Sequence, residues 1–112
     1  MSLKDHMNVL ADSAQFAKAK AQDSISVFVF SANWCPDCRF IEPFMPKLID
    51  KYKDYTFYYV DRDEWISLAQ EQMVMGIPSF IGVGKGKELG RFVSKLRKSE
   101  AEIDEFLASL NK

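Results

Sequence analysis

The chain has 112 residues, 47% hydrophobic and 28% charged, which suits a soluble globular domain with enough apolar side chains for a core. Fifteen Lys and Arg against sixteen Asp and Glu leave a net charge of -1, which excludes bulk attraction to nucleic acid or an anionic membrane as an organising feature. No apolar run reaches the length of a membrane span, the start Met1-Ser2-Leu3-Lys4-Asp5-His6 lacks an export signal, and two cysteines are too few for a secreted disulfide framework, so a cytoplasmic protein is expected.

In chain order, Met7, Leu10, Ala14 and Ala17 recur at helical spacing among good helix formers, predicting a helix over residues 4–20. A strand follows over 25–31. The next helix begins at the first cysteine and runs towards residue 53, with Pro43 and Pro46 each removing a hydrogen bond and bending it. Aromatic and β-branched residues make 55–60 a second strand. Trp65, Leu68, Ala69 and Met73 share one face of a helix over 64–73, capped by Asp63 and ended by Gly76. Residues 79–83 and 89–93 read as a hairpin through Gly84-Lys85-Gly86-Lys87. Ser99 and Glu102 make a capping box before a last helix with the apolar stripe Ile103, Phe106, Leu107 and Leu110. The predicted order is α-β-α-β-α-β-β-α in one domain spanning 1–112, with residues 1–6 mobile or in part a cloning scar.

Both cysteines lie in Trp34-Cys35-Pro36-Asp37-Cys38, between the strand-like run Val27-Phe28-Val29-Phe30 and a helical pattern. Two sulfurs three residues apart in a first helical turn lie on one face, close enough for a disulfide, and the orphan amides there favour a thiolate. Cys35 is then the nucleophile of disulfide exchange and Cys38 is placed to resolve the mixed disulfide. Pro36 at the first helical position gives up no needed hydrogen bond. Structural zinc wants four Cys or His ligands, and the chain offers two Cys and His6, so no metal is expected; a zinc or iron-sulfur site shared between two chains is the metal alternative.

This arrangement resembles the thioredoxin family from about residue 16 onward. The resemblance rests on Phe30-Ser31-Ala32-Asn33-Trp34-Cys35, on Pro43 within the active-site helix, on Gly76-Ile77-Pro78-Ser79-Phe80, and on the hairpin residue Gly86. In length, and in Val60-Asp61-Arg62-Asp63 and Gly90-Arg91-Phe92-Val93-Ser94-Lys95, the chain is most similar to short thioredoxin-like proteins of Gram-positive bacteria. The resemblance implies the α/β thioredoxin fold, with a central mixed four-stranded sheet and flanking helices. It implies a thiol-disulfide oxidoreductase without a bound cofactor, acting on protein or small-thiol disulfides. Electrons would come from a thioredoxin reductase or a low-molecular-weight thiol. It further implies Cys35 as the more exposed thiol, a cis Ile77-Pro78 bond that sets Ile77 opposite the disulfide, and a groove rimmed by Trp34, Pro36, Ile77 and residues 90–92. A thioredoxin-fold adaptor binding partners beside Pro78 is the alternative from another class.

Departures from the family pattern carry information too. Pro36-Asp37 replaces the usual Gly-Pro and is found in a related cytosolic group of narrower substrate range. The family's buried aspartate and its partner lysine fall at Val29 and Tyr59, so the proton relay is expected to be absent, with Asp37 or a water it holds accepting the Cys38 proton. Ser94 stands where a groove glycine is usual. Asp61, Asp63 and Glu64 form an acidic knot that is read without a cation, with Asp63 as a helix cap, and Lys85, Lys87, Arg91, Lys95, Arg97 and Lys98 are read as a solvated basic face. Phe28, Phe30, Phe57, Tyr58 and Phe80 are assigned to the core and sheet faces.

Overall fold

The computed structural model describes residues 3–111. Its strands are β1 (Asn8–Val9), β2 (Ser26–Ser31), β3 (Thr56–Asp61), β4 (Ser79–Gly84) and β5 (Lys87–Phe92), forming one sheet in the order β1-β3-β2-β4-β5. β3 runs parallel to both β1 and β2, whereas β4 is antiparallel to β2 and β5. The helices are α1 (Ala14–Ala21), α2 (Pro36–Ile41), α3 (Met45–Lys51), α4 (Ile66–Glu71) and α5 (Glu100–Ser109).

Side chains of β2 alternate between the two faces of the sheet, as a strand requires. Val27 and Val29 pack with Ile41, Met45, Leu48, Phe80, Ile103 and Leu107. Phe28 and Phe30 pack with Phe16, Ala19, Val60, Leu68 and Ala69 on the other face. All six residues of β2 are buried, so the strand delivering the cysteine motif is anchored from both sides. The expected core aromatics Phe28, Phe30, Phe57 and Phe80 are all buried, and Tyr58 is half-buried.

Several boundaries differ from the sequence-based expectation. The sheet has five strands, not four, because Asn8 and Val9 pair in parallel with Tyr58 and Tyr59, while Asn8 Nδ2 donates to the Phe57 carbonyl at 3.2 Å. The helix expected over 4–20 is therefore divided: Leu3–His6 form a 3-10 turn with Leu3 buried, and α1 starts only after Asp12 Oδ1 accepts from Ala14 N at 2.8 Å. Met1 and Ser2, part of the segment expected to be mobile or a cloning scar, lie outside the described residues. The long second helix is two helices. Pro43 has no N–H to continue α2, whereas Pro46 sits in the first turn of α3, where no hydrogen bond is lost. The hairpin turns through two residues, Lys85 and Gly86, both with positive φ (56° and 83°), the type I′ geometry that suits strand twist. The capping box of Ser99 and Glu102 is present as expected.

Asp63 does not cap the third long helix: Asp61 Oδ1 accepts from the amides of Asp63 (2.9 Å) and Glu64 (3.3 Å), and α4 begins two residues later. Nor does Gly76 end it. The C-terminus closes through Val74 N to Ala69 O (2.8 Å) and Met73 N to Gln70 O (3.1 Å), a Schellman pattern with Met73 at φ 60°. An L side chain at that φ costs about 1–2 kcal/mol, and Met73 is exposed, so nothing is lost by removing its side chain. Met73→Gly is expected to raise stability by about 0.5–1 kcal/mol after the extra chain entropy of glycine, measurable by urea unfolding.

Candidate active site

The end of β2 carries the chain through Ala32, Asn33 and Trp34 to Cys35, which has extended backbone angles and serves as N-cap of α2. Its Sγ accepts the Cys38 amide at 3.2 Å, the bond a serine or aspartate oxygen makes at other helix starts. Pro36 follows in the first turn. Both thiols are free; Cys35 is 5% exposed and Cys38 2%, and with Ala32 they form a small cluster against Ile77. The Ile77-Pro78 bond is cis, and the Cys35 thiol donates to the Ile77 carbonyl at 3.8 Å. The structure thus brings Cys35, Cys38, Pro36 and Ile77 together.

Trp34, 55% exposed, lies beside the motif with its indole Nε1 donating to Asp63 Oδ2 at 2.6 Å and the Arg62 guanidinium 5.5 Å from the ring centroid. The indole bond, with Arg62 beside it, holds the Asp63 carboxyl below its ordinary range. The role of Asp63 is therefore to fix the flanking aromatic. Asp37 is engaged from across the fold, its Oδ1 accepting from Arg97 Nε at 2.8 Å, while the same guanidinium lies 4.5 Å from the Phe40 ring centroid. Among the described residues no group of three or more His, Cys, Asp and Glu side chains is arranged to hold a metal.

Burial pushes the Cys38 thiol up to about 12, reinforced by its hydrogen bond with Cys35; hydrogen bonds with the Ser31 side chain and the Ala32 backbone act in the opposite direction. Burial also raises the Tyr59 hydroxyl, with the Ser31 side chain acting against it and the Asp61, Cys38 and Glu42 charges acting with it. The Val29 and Tyr59 positions face each other in register across β2 and β3. Because the folded state holds the Cys38 proton more tightly than the ordinary 9.0, this group contributes stability that is complete below pH 9 and is lost as the pH rises towards 12. Reduced protein compared with Cys38→Ser by urea unfolding is expected to lose its relative advantage over that interval.

The segment after β5 completes the site and was the part least visible in sequence. Residues 90–92 do not rim the dithiol: Gly90 faces Leu110, and Phe92 packs against Phe80 and Phe106. Ser94 and Lys95 instead press on Gly76, where an added Cβ would fall 2.6 Å from the Ser94 carbonyl oxygen and 2.8 Å from the Lys95 Cα. Gly76 is required for this close approach rather than for ending a helix. The expected solvated basic face also breaks up. Arg91 binds Glu88 and the Gln72 carbonyl, Arg97 binds Asp37, and Lys98 is only 1% exposed. No sequence pattern distinguishes Lys98 from its exposed neighbours; its burial follows from the loop's path.

Surface depressions of about 370, 390 and 480 Å³ lie elsewhere, the first lined by Arg91, Phe92, Glu102, Glu105, Phe106 and Ser109. The dithiol instead adjoins the exposed Trp34 and the backbone of Ile77, an arrangement suited to an extended substrate segment. No helix among the described residues is long and apolar enough to cross a membrane.

Comparison with known proteins agrees with this geometry. A thioredoxin family model matches residues 7–109. Thioredoxin from Rattus norvegicus is 40% identical over 93 residues, covering 82% of this chain and 89% of that protein. Thioredoxin from Callithrix jacchus is 38% identical over 97 residues, covering 86% and 92%. The match to thioredoxin H2 from Arabidopsis thaliana, 38% identical over 87 residues, covers 78% of this chain and 65% of the plant protein. Among solved structures, thioredoxin from Trypanosoma brucei brucei superposes with a TM-score of 0.82 at 25% identity, covering 94% of this chain and 90% of that one. With the family model spanning nearly the whole chain and the paired cysteines seated at the start of a helix beside a cis-proline, the chain belongs to the thioredoxin family.

Proposed function

We propose that this thiol-disulfide oxidoreductase reduces disulfides in proteins or small molecules through attack by Cys35 and resolution by Cys38, within a single domain that binds no cofactor or metal. The observation that carries the assignment is the Cys35 sulfur accepting the Cys38 amide within one turn of α2 while lying 3.8 Å from the Ile77 carbonyl, a backbone docking edge on a separate segment. The Cys35 thiolate attacks one substrate sulfur and the other leaves as a thiolate. Cys38 then loses its proton and attacks Cys35 Sγ, so the second substrate sulfur departs, the Cys35–Cys38 disulfide forms, and two electrons have passed to the substrate.

Trp34, Pro36, Ile77 and Pro78 shape the docking edge, and Asp37 holds the 94–98 loop against α2 through Arg97. The Pro36-Asp37 pair supports a narrower substrate range than that of ordinary thioredoxins. Thioredoxin reductase or a low-molecular-weight thiol would restore the dithiol in a cytoplasm, a setting supported by the balanced charge and sparse cysteines and requiring neither nucleic acid nor membrane; a bacterial cytoplasm of Gram-positive type rests on the resemblance of residues 60–63 and 90–95 alone. Cys38→Ser incubated with a disulfide-bonded model protein is expected to accumulate a covalent adduct at Cys35, located by peptide mass spectrometry. An adduct forming at Cys38 of Cys35→Ser, with none at Cys35 of Cys38→Ser, would reverse the assignment.

A further inference from the structure

Arg97 reaches across the fold to the residue between Pro36 and Cys38: its Nε donates to Asp37 Oδ1 at 2.8 Å, and its guanidinium carbon lies 4.5 Å from the Phe40 ring centroid. One edge of the guanidinium is thereby held by a carboxylate and one face by an aromatic ring, both on α2. The side chain is nonetheless 54% exposed, and Nη1 and Nη2 have no hydrogen-bond partner among the described residues. Arg91 shows the contrast. Its Nε and Nη2 bind Glu88 and its Nη1 binds the Gln72 carbonyl, so each of its nitrogens is committed.

A guanidinium presents its donors as a planar fork that matches the two oxygens of a carboxylate. An exposed arginine usually gives up side-chain freedom when it binds such a group, which offsets much of the gain. Arg97 has given it up already, because Asp37 and Phe40 fix its plane, and an oriented donor pair binds with less ordering. The loop that carries it is fixed as well: Ser94 and Lys95 pack on Gly76, directly before the Ile77 carbonyl that faces Cys35. This loop thus joins the cis-proline segment to the cysteine motif, beside the path of a substrate segment lying on Ile77. The local charge suits an acidic visitor. Arg39 and Lys95 are exposed and form no ion pair among the described residues, whereas the acidic stretch 61–64 is engaged at Trp34 through Asp63.

Resting on the dithiol reading given above, we infer that Arg97 determines substrate specificity: its Nη1/Nη2 fork receives the carboxylate of an aspartate or glutamate next to the target cysteine of a protein substrate. Two parallel charge-assisted hydrogen bonds hold that carboxylate. Asp37 is then the residue that orients the fork, which gives the Pro36-Asp37 pair a part in choosing the substrate. Arg97 selects the segment that docks and takes no part in the transfer of electrons.

The test is the second-order rate at which the reduced protein is oxidised by two peptides, each closed by one internal disulfide and identical except that Glu flanks the cysteines in one and Gln in the other, followed by tryptophan fluorescence. The parent is expected to favour the Glu peptide about fivefold at low ionic strength and to lose most of that preference in about 0.5 M salt. Arg97→Gln should bring the ratio below about twofold. Because that change also frees the Asp37 charge, the decisive comparison removes it: Asp37→Asn keeps an oxygen for Arg97 Nε and should retain the preference, and Asp37→Asn combined with Arg97→Gln should lose it. If Arg97 only anchored the loop, its loss would slow both peptides equally and leave the ratio as it was. A parent ratio below about twofold, or a preference that survives in the double variant, would overturn the inference and leave the dithiol reading intact; reaction with neither peptide would overturn both.

Discussion

Cys35→Ser should reduce disulfide turnover by at least about a thousandfold, since a hydroxyl is far less acidic and less nucleophilic than a thiol and no neighbouring group replaces the attack. The fold should survive the change. Cys35 acts as N-cap of α2 through its sulfur, and a serine oxygen is a preferred N-cap acceptor, so the bond to the Cys38 amide has a ready substitute. Cys38→Ser should also lose catalytic turnover while retaining one round of attack. Steady-state reduction of a model protein disulfide, with unfolding curves for both variants, separates loss of chemistry from loss of structure. Retention of more than a tenth of the parent activity in Cys35→Ser would remove Cys35 from the nucleophile's role.

Phe28→Ala should produce the largest stability loss, about 3–5 kcal/mol, against a typical total of about 5–15 kcal/mol for a domain. Phe28 is 0% exposed in the middle of β2, stacked on Tyr58 with centroids 4.8 Å or less from both its ring neighbours: 4.7 Å to Tyr58 and 4.8 Å to Phe16. Truncation removes the ring from three elements at once, β2, β3 and α1, and leaves a cavity that the sheet cannot collapse to fill. Because β2 leads directly into the cysteine motif, the loss should extend to the placement of the dithiol. Urea denaturation measures it, and a change below about 1 kcal/mol would mean that this face of the sheet is not the packed core described.

How much of this was legible in sequence depended on whether the cause was local. The Ser99–Glu102 capping box, the cysteine motif at a helix start and the glycine-containing hairpin use partners within three residues, and each appears where expected. The helix predicted over 4–20 failed for the opposite reason: two residues at 8 and 9 are recruited by a distant strand edge, and no window of periodicity registers so short a pairing. Pro43 and Pro46 look alike in the chain, yet one terminates a helix and the other starts one, because the break created by the first sets the phase of the second. Met73 adopts a positive φ that favours glycine, which moved the expected helix end to Gly76.

The site divides along the same line. Cys35, Cys38, Pro36 and the Ile77-Pro78 segment were recognisable from motif and spacing, whereas their supporting partners come from far along the chain. Arg97 reaches Asp37 from 60 positions away, and Asp63 reaches Trp34 from 29. Lys98 is further hidden, because burial of a lysine in a run of exposed basic residues is a property of tertiary packing alone. Ser31, whose side chain acts against the burial-driven rise of both Cys38 and Tyr59, read simply as the end of a strand.

The reduction potential of the Cys35/Cys38 pair tests the central claim most directly, by equilibration against graded dithiol buffers, alkylation and intact mass. The account predicts a single reversible two-electron transition at or below the cytosolic glutathione poise, about −220 to −260 mV by extraction methods, as a disulfide reductase fed by cellular thiols requires. A potential well above that range, or no transition between dithiol and disulfide, would contradict it.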